Sequence, residues 1–201
     1  MREVIHCEQG SQQWHAVRLG IPTSSRFADI MAKGEGKTRR KYMMQLAGEI
    51  ITGQPMIAYA NQHMERGHEM EPEARDWYAL VHGIEPDKVG FIRNGNKGCS
   101  PDALISGGGL LEIKTKLPDI LLEVVLKDEI PPEHKAQLQG HLWVAEEEWI
   151  DLLCYWSGMM PFQKRTFRDQ QYIRILASEV ERFNDDLNEV VEKYRSMTNG
   201  I

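Results

Sequence analysis

The chain has 201 residues, 41% hydrophobic and 27% charged, an ordinary composition for one soluble globular domain with a sizeable core. No apolar run approaches the ~18 residues of a membrane span. The formal net charge of −6 argues against a protein that coats nucleic acid, and less against an enzyme with one basic groove or channel. In chain order, residues 25–32 read as a short helix with Ser24 or Ser25 as its N-cap. Residues 34–38 read as a mobile loop, and 40–52 as a helix with apolar positions at Met43, Met44, Leu46, Ala47, Ile50 and Ile51. A second long helix spans 61–82, kinked or restarted at Pro72. Residues 89–94 form a strand candidate that leads into a turn at 95–98. Residues 118–128 are helical, and Pro131-Pro132 opens a helix through Gln137 to Val144. Residues 149–155 and 171–176 read as strands. Ser178 then caps a C-terminal amphipathic helix, 178–197, with its apolar stripe on Val180, Phe183, Leu187, Val190, Val191 and Tyr194. This order predicts an α/β fold with a mixed central β-sheet flanked by helices, as one domain over 1–201.

The chemistry concentrates between residues 100 and 114. Ser100-Pro101-Asp102 is followed by Glu112-Ile113-Lys114, with Gly107-Gly108-Gly109 between them. The glycines permit the positive φ angles of a tight turn, so 103–105 and 110–114 form a hairpin candidate. Alternation along the second strand puts Glu112 and Lys114 on one face and turns Ile113 into a core. The hairpin returns Asp102 to Glu112. Two carboxylates can hold a divalent metal, with the Ile113 carbonyl as a further ligand, and a lysine beside them can orient or activate a water. The bland alternative is a surface hairpin with a Glu–Lys pair on its wet face.

These residues resemble the PD-(D/E)xK nuclease superfamily and, within it, the phage lambda exonuclease (YqaJ-type viral recombinase) family. That family's motifs recur in order. Trp14-His15-Ala16-Val17-Arg18-Leu19-Gly20-Ile21-Pro22-Thr23-Ser24-Ser25 is similar to its W-x-x-x-R-x-G-x-x-T-x-S segment. Gly67-His68-Glu69-Met70-Glu71-Pro72-Glu73-Ala74-Arg75 is similar to its G-x-x-x-E-x-x-A-R helix. The Asp102 and Glu112-Ile113-Lys114 core follows, and Ala136-Gln137-Leu138-Gln139 with Trp143 is similar to its A-Q-x-Q helix. Where the family has an aromatic residue before that helix, this chain has His134. The resemblance covers Trp14 to about Trp143; the C-terminal segment carries no diagnostic match.

The resemblance implies a restriction-endonuclease-like core and assigns roles residue by residue. Glu71 becomes the third metal carboxylate beside Asp102 and Glu112; its spacing from Gly67 selects it over Glu69. Mg²⁺, with Mn²⁺ as substitute, suits these oxygen ligands better than zinc. Lys114 holds the attacking water and offsets charge on the phosphate. Gln137 positions the water or the lysine, while Gln139, two residues on, faces away. Arg18, Thr23, Ser25 and Ser100 receive a terminal 5′-phosphate, for which a guanidinium and hydroxyls are fitting donors. The implied activity is Mg²⁺-dependent 5′-to-3′ digestion of one strand of double-stranded DNA from its end. Mononucleotides leave, and the surviving 3′ strand serves recombination. The implied partners are a ring-shaped homotrimer threaded by DNA and a single-strand annealing protein, in a phage or prophage setting.

Other features bound this reading. Lys33, Lys37, Arg39, Arg40 and Lys41 form a basic cluster suited to duplex contact. Cys7, Cys99 and Cys154 make no C-x-x-C pair, and residues 1–6 lack the apolar core of a signal peptide, so a reducing cytoplasm is expected. His68-Glu69 opens like a zinc protease helix, but Pro72 stands where the second histidine would be. His134 and His141, seven apart, read as surface or packing residues rather than ligands. Two alternatives stay open: a structure-specific or restriction-type endonuclease, and a catalytically silent protein that binds DNA ends or a recombination partner.

Overall fold

The structure, a computed structural model, describes residues 1–32, 36–56 and 62–198. Lys33, Gly34 and Asn61, which the sequence reading placed in the basic loop and at the start of the second long helix, lie outside the described residues. Strand β1 (Arg2–Ile5) and helix α1 (Gln12–Val17) lead to a 3₁₀ turn (Ser24–Arg26) and to α2 (Phe27–Met31), α3 (Lys37–Thr52) and α4 (Gln62–His82). Strands β2 (Phe91–Asn94), β3 (Lys97–Cys99), β4 (Ala103–Ile105) and β5 (Gly109–Thr115) follow. Next come α5 (Pro118–Lys127), a 3₁₀ turn (Pro132–His134), α6 (Lys135–Ala145), β6 (Trp149–Tyr155), β7 (Phe162–Phe167) and α7 (Gln170–Thr198).

Among the described residues the strands form two sheets, ordered β1-β2-β3 and β4-β5-β6-β7. The second is mixed, as the sequence predicts: β5 runs parallel to β6, and the other pairs are antiparallel. A parallel pair needs a long crossover, which α5 and α6 supply. The β4–β5 hairpin has the expected register, with Ala103 opposite Leu111 and Ile105 opposite Gly109. Gly107 and Gly108 take φ of 90° and 84° in its turn, where a side chain would be strained.

Strand β5 is covered on both faces. Leu110 packs into the larger core with Leu138 and Leu142 of α6 and with α2, α3 and α7. Leu111 and Ile113 pack into a second cluster with Ala74 and Tyr78 of α4. Glu112 and Lys114, in register with Leu110, therefore face α6, while Ile113 faces α4.

Several expectations are corrected. Residues 171–176 are helical, because Ile173, Leu176, Val180, Phe183, Leu187 and Val191 make one buried stripe at spacings of three and four. Ser178 is consequently inside α7, and Asp169, which accepts a hydrogen bond from Tyr172 N at 2.9 Å, caps it. The strand beside β6 is β7, whose Gln163–Thr166 polar run hid it. The segment after Thr23 opens as a 3₁₀ turn, with no side-chain cap from Thr23, and Lys37 and Thr38 already belong to α3. Helix α4 runs on through Pro72 rather than restarting there. The short, charged Arg2–Ile5 segment gives no sign of β1, the edge strand that pairs with β2 in the three-stranded sheet.

Candidate active site

Strand β5 and helix α6 build the centre of the site. Glu112 is 3% exposed, yet each of its oxygens meets a donor. Oε1 accepts from Gln137 Nε2 at 2.5 Å and lies 2.7 Å from Lys114 Nζ. Oε2 is 2.9 Å from His141 Nε2. Burial alone would raise the Glu112 carboxyl, but the Lys114 ammonium and His141 override it and hold it at about 2. The reciprocal effect keeps Lys114 charged: burial would lower it, and Glu112 raises it above its ordinary value.

Asp102 sits just before β4 and accepts from Ile113 N at 2.5 Å, which ties the loop to the strand. The loop is held from outside by Gln9, whose amide donates to Pro101 O and Val89 O, each at 3.0 Å. Burial, then the charges of Glu112 and Glu71, push the Asp102 carboxyl well above its usual range. Glu71, on α4, is paired with Arg75 one turn on. Among the described residues no three acidic, histidine or cysteine side chains stand in a metal-ligating arrangement. Arg75 pairs with Glu71 Oε1, and Lys114, Gln137 and His141 take up both oxygens of Glu112.

A second group of donors adjoins this centre. The Arg18 guanidinium lies 3.6 Å over the Trp14 ring, and its Nη1 is 3.4 Å from Ser100 Oγ. Trp14 Nε1 also donates to Ser100 Oγ at 3.0 Å. Among the described residues no carboxylate forms an ion pair with Arg18, and burial lowers it to about 10, so it still carries its charge at neutral pH. Thr23 and Ser25 put their hydroxyls 3.3 Å apart beside it.

One cleft of about 410 Å³ is lined by Arg18, Ser25, Ser100, Glu71, Asp102, Glu112, Ile113, Lys114 and Gln137. Thr23 is nearly buried and lines an adjoining cavity of about 260 Å³ that shares Trp14, Arg18 and Ser25 with the cleft. All ten residues named from the sequence are thus brought together. Gln139 faces away as expected, donating to Phe167 O at 2.9 Å, and Glu69 is exposed and does not line the cleft. His134 is held mostly out of solvent, where burial and then Lys116 and Lys114 drive its imidazole down to about 4. The sequence reading missed His141, Trp14 and Arg75 as site residues. Each stands four residues from a named one on the same helical stretch, a spacing that puts both on one face.

The YqaJ-like viral recombinase domain matches this chain over residues 13–148. Among solved structures the chain is similar to an alkaline exonuclease, LHK-Exo, from Laribacter hongkongensis. The TM-score is 0.87 at 30% identity, over 94% of this chain and 99% of that one. Against LHK-Exo in complex with dAMP the TM-score is 0.88 at 31% identity, with the same coverage of 94% and 99%. A phage-related exonuclease from Haemophilus somnus 129PT shares the fold, with a TM-score of 0.65 at 14% identity over 87% of this chain and 96% of that one. No curated protein matches the chain.

Proposed function

The chain belongs to the YqaJ-like viral recombinase domain family with a PD-(D/E)xK-type core, so it is a DNA-hydrolysing nuclease of the exonuclease kind, and we propose that it digests one strand of linear duplex DNA from a 5′-phosphorylated end. One observation carries this reading. A charged arginine that forms no ion pair with a carboxylate of the described residues shares a cleft with the Asp102, Glu112 and Lys114 group. Such an arginine beside three hydroxyls suits an anion, and its place next to the Asp102, Glu112 and Lys114 group supports the end of the substrate as that anion. LHK-Exo has been crystallised with dAMP, which supports 5′-mononucleotides as products here.

Glu71, Asp102, Glu112 and the Ile113 carbonyl would hold a divalent cation. The donor set fits one, because facing carboxylates that raise Asp102 by repulsion need a countercharge, and oxygen donors favour Mg²⁺ or Mn²⁺. When bound, the cation acidifies the attacking water and neutralises charge at the scissile phosphate. Arg18, Thr23, Ser25 and Ser100 hold the terminal phosphate and so set the register of the strand. Lys114, kept as an ammonium by Glu112, holds the water as a charged donor and offsets charge developing on the phosphate. Gln137 fixes the rotamer of Glu112 through its 2.5 Å bond.

The same membership supports a homotrimeric ring threaded by the duplex and a single-strand annealing protein that receives the 3′ strand. Three free thiols suit a reducing bacterial cytoplasm. The deciding experiment uses end-labelled linear duplex with 5′-phosphate or 5′-hydroxyl termini and a covalently closed circle, each with Mg²⁺. Mononucleotides released from the phosphorylated strand, with the circle intact, are expected. A cut circle would identify an endonuclease, and Mg²⁺-independent binding without turnover a silent end-binding protein.

A further inference from the structure

We propose that His141 and Ser24 form a positioning link that couples occupancy of the terminal-phosphate pocket to the placement of the catalytic carboxylate Glu112. The proposal rests on the 5′-phosphate reading above. Ser25 and Thr23 face the pocket, but Ser24, between them on the 3₁₀ turn, is 1% exposed and points the other way. Its Oγ lies 3.1 Å from His141 Nδ1, and His141 Nε2 lies 2.9 Å from Glu112 Oε2. The imidazole is itself 1% exposed, so its ring forms a rigid, water-free bridge from the turn to the carboxylate.

The two hydrogen bonds share one ring. Nε2–H donates to the Glu112 carboxylate, and Nδ1 on the opposite edge pairs with the Ser24 hydroxyl. Gln137 Nε2 also lies 3.3 Å from His141 Nε2, but two donors cannot bond each other; Gln137 donates to Glu112 Oε1 instead. His141 and Gln137 thus hold the two oxygens of one carboxylate from one face of α6.

The link exists because α6 approaches the turn closely. A Cβ on Gly140 would lie 2.6 Å from the Phe27 ring and 3.0 Å from Ser24 Cβ. Only glycine at this position lets Ser24 reach His141. A terminal phosphate that draws in Ser25 and Thr23 therefore moves a turn whose middle residue is bonded, through His141, to Glu112. An end without phosphate leaves the turn unrecruited and Glu112 less well placed. The pocket would then act on turnover as well as on binding.

The test measures kcat and KM on linear duplex with 5′-phosphate or 5′-hydroxyl ends, with Mg²⁺, for wild type, Ser24→Ala, His141→Gln and the double variant. The His141→Gln change keeps an amide donor toward Glu112 and loses the ring nitrogen that meets Ser24. Each single variant is expected to cut the 5′-phosphate preference in kcat about tenfold, and the double variant no further. A merely structural role would slow both ends by one factor and leave the preference intact; that result, or additive losses, overturns the proposal. Ser24→Ala removes a single hydroxyl and decides the matter alone if His141→Gln does not fold. A wild type indifferent to the 5′-phosphate would overturn the end-pocket reading and the link with it. A wild type with a preference that Ser24→Ala retains would overturn the link only.

Discussion

Asp102 and Glu112 are both acids in one cleft, and their surroundings push them in opposite directions. Glu112 has a lysine, a histidine and an amide around it and stays ionised down to about pH 2. Burial, then the like charges of Glu112 and Glu71, raise the Asp102 carboxyl against the opposing pull of the Ile113 N–H and Lys114. The sign of the consequence follows. A folded value above the ordinary 3.8 means that an ionised Asp102 costs stability, and the cost is relieved as pH falls through the raised value. In chelator, Asp102→Asn is therefore expected to raise the midpoint of thermal unfolding at pH 8, by roughly 3 °C, while abolishing turnover. The gain should shrink on acidification and vanish below pH 3.8. A variant less stable than wild type at pH 8 would contradict this account. Lys114→Met removes the donor proposed for the water and should lower kcat about a hundred- to thousandfold, with little change in KM.

At the scale of elements, α4 and α6 clamp β5 from opposite faces, and each clamp has a polar anchor. On the α4 side Tyr78 donates to the fully buried Asp151 of β6 at 2.7 Å, and Arg165 of β7 meets the same carboxylate at 2.8 and 2.9 Å. Glu71 lies two turns before Tyr78 on the same helix. Tyr78→Phe removes one donor from Asp151, which keeps Arg165 and Gln163, and should cost about 0.5–1.5 kcal/mol in urea unfolding. It should also raise the Mg²⁺ concentration for half-maximal activity, because Glu71 rides on the loosened helix. Unchanged metal dependence would separate the anchor from the site.

These elements also explain what sequence reasoning reached. The β4–β5 hairpin was legible because three glycines and alternating strands specify it locally. The pairs Trp14–Arg18, Glu71–Arg75 and Gln137–His141 are legible in spacing alone, yet the sequence reading gives one member of each no role in the site. His141 was weighed against His134, seven residues away, rather than against Gln137 on the same face. Residues 171–176 were read as a strand because Tyr172, Ile173, Ile175 and Leu176 are good strand formers, and only the stripe extending to Val191 reveals the helix.

At the scale of the molecule, the net charge of −6 must be reconciled with a polyanionic substrate. Arg40 and Lys41 are exposed near the start of α3, while Arg39 is engaged with Asp186 of α7 at 2.8 Å. Among the described residues the first turn of that helix contains no acidic residue of its own. Reversing Arg40 and Lys41 to glutamate is expected to shorten processive runs by about tenfold, with a much smaller loss of single-turnover cleavage. Equal losses in the two assays would place these residues at the reaction centre instead.

Local chemistry is written in the sequence: which acids and which lysine share a strand face, where the chain turns, and which helix faces are apolar. These follow from backbone periodicity and from glycine's freedom, both properties of short segments. The choice of Glu71, Gln137, Arg18, Thr23, Ser25 and Ser100 as candidates rests on motif order, which stands in for a fold already solved elsewhere. Only the tertiary structure decided that Ser24 and Glu112, 88 apart in the chain, are joined through His141. That contact depends on α6 lying against the 3₁₀ turn at Gly140, and a packing distance between distant segments has no signature in either of them.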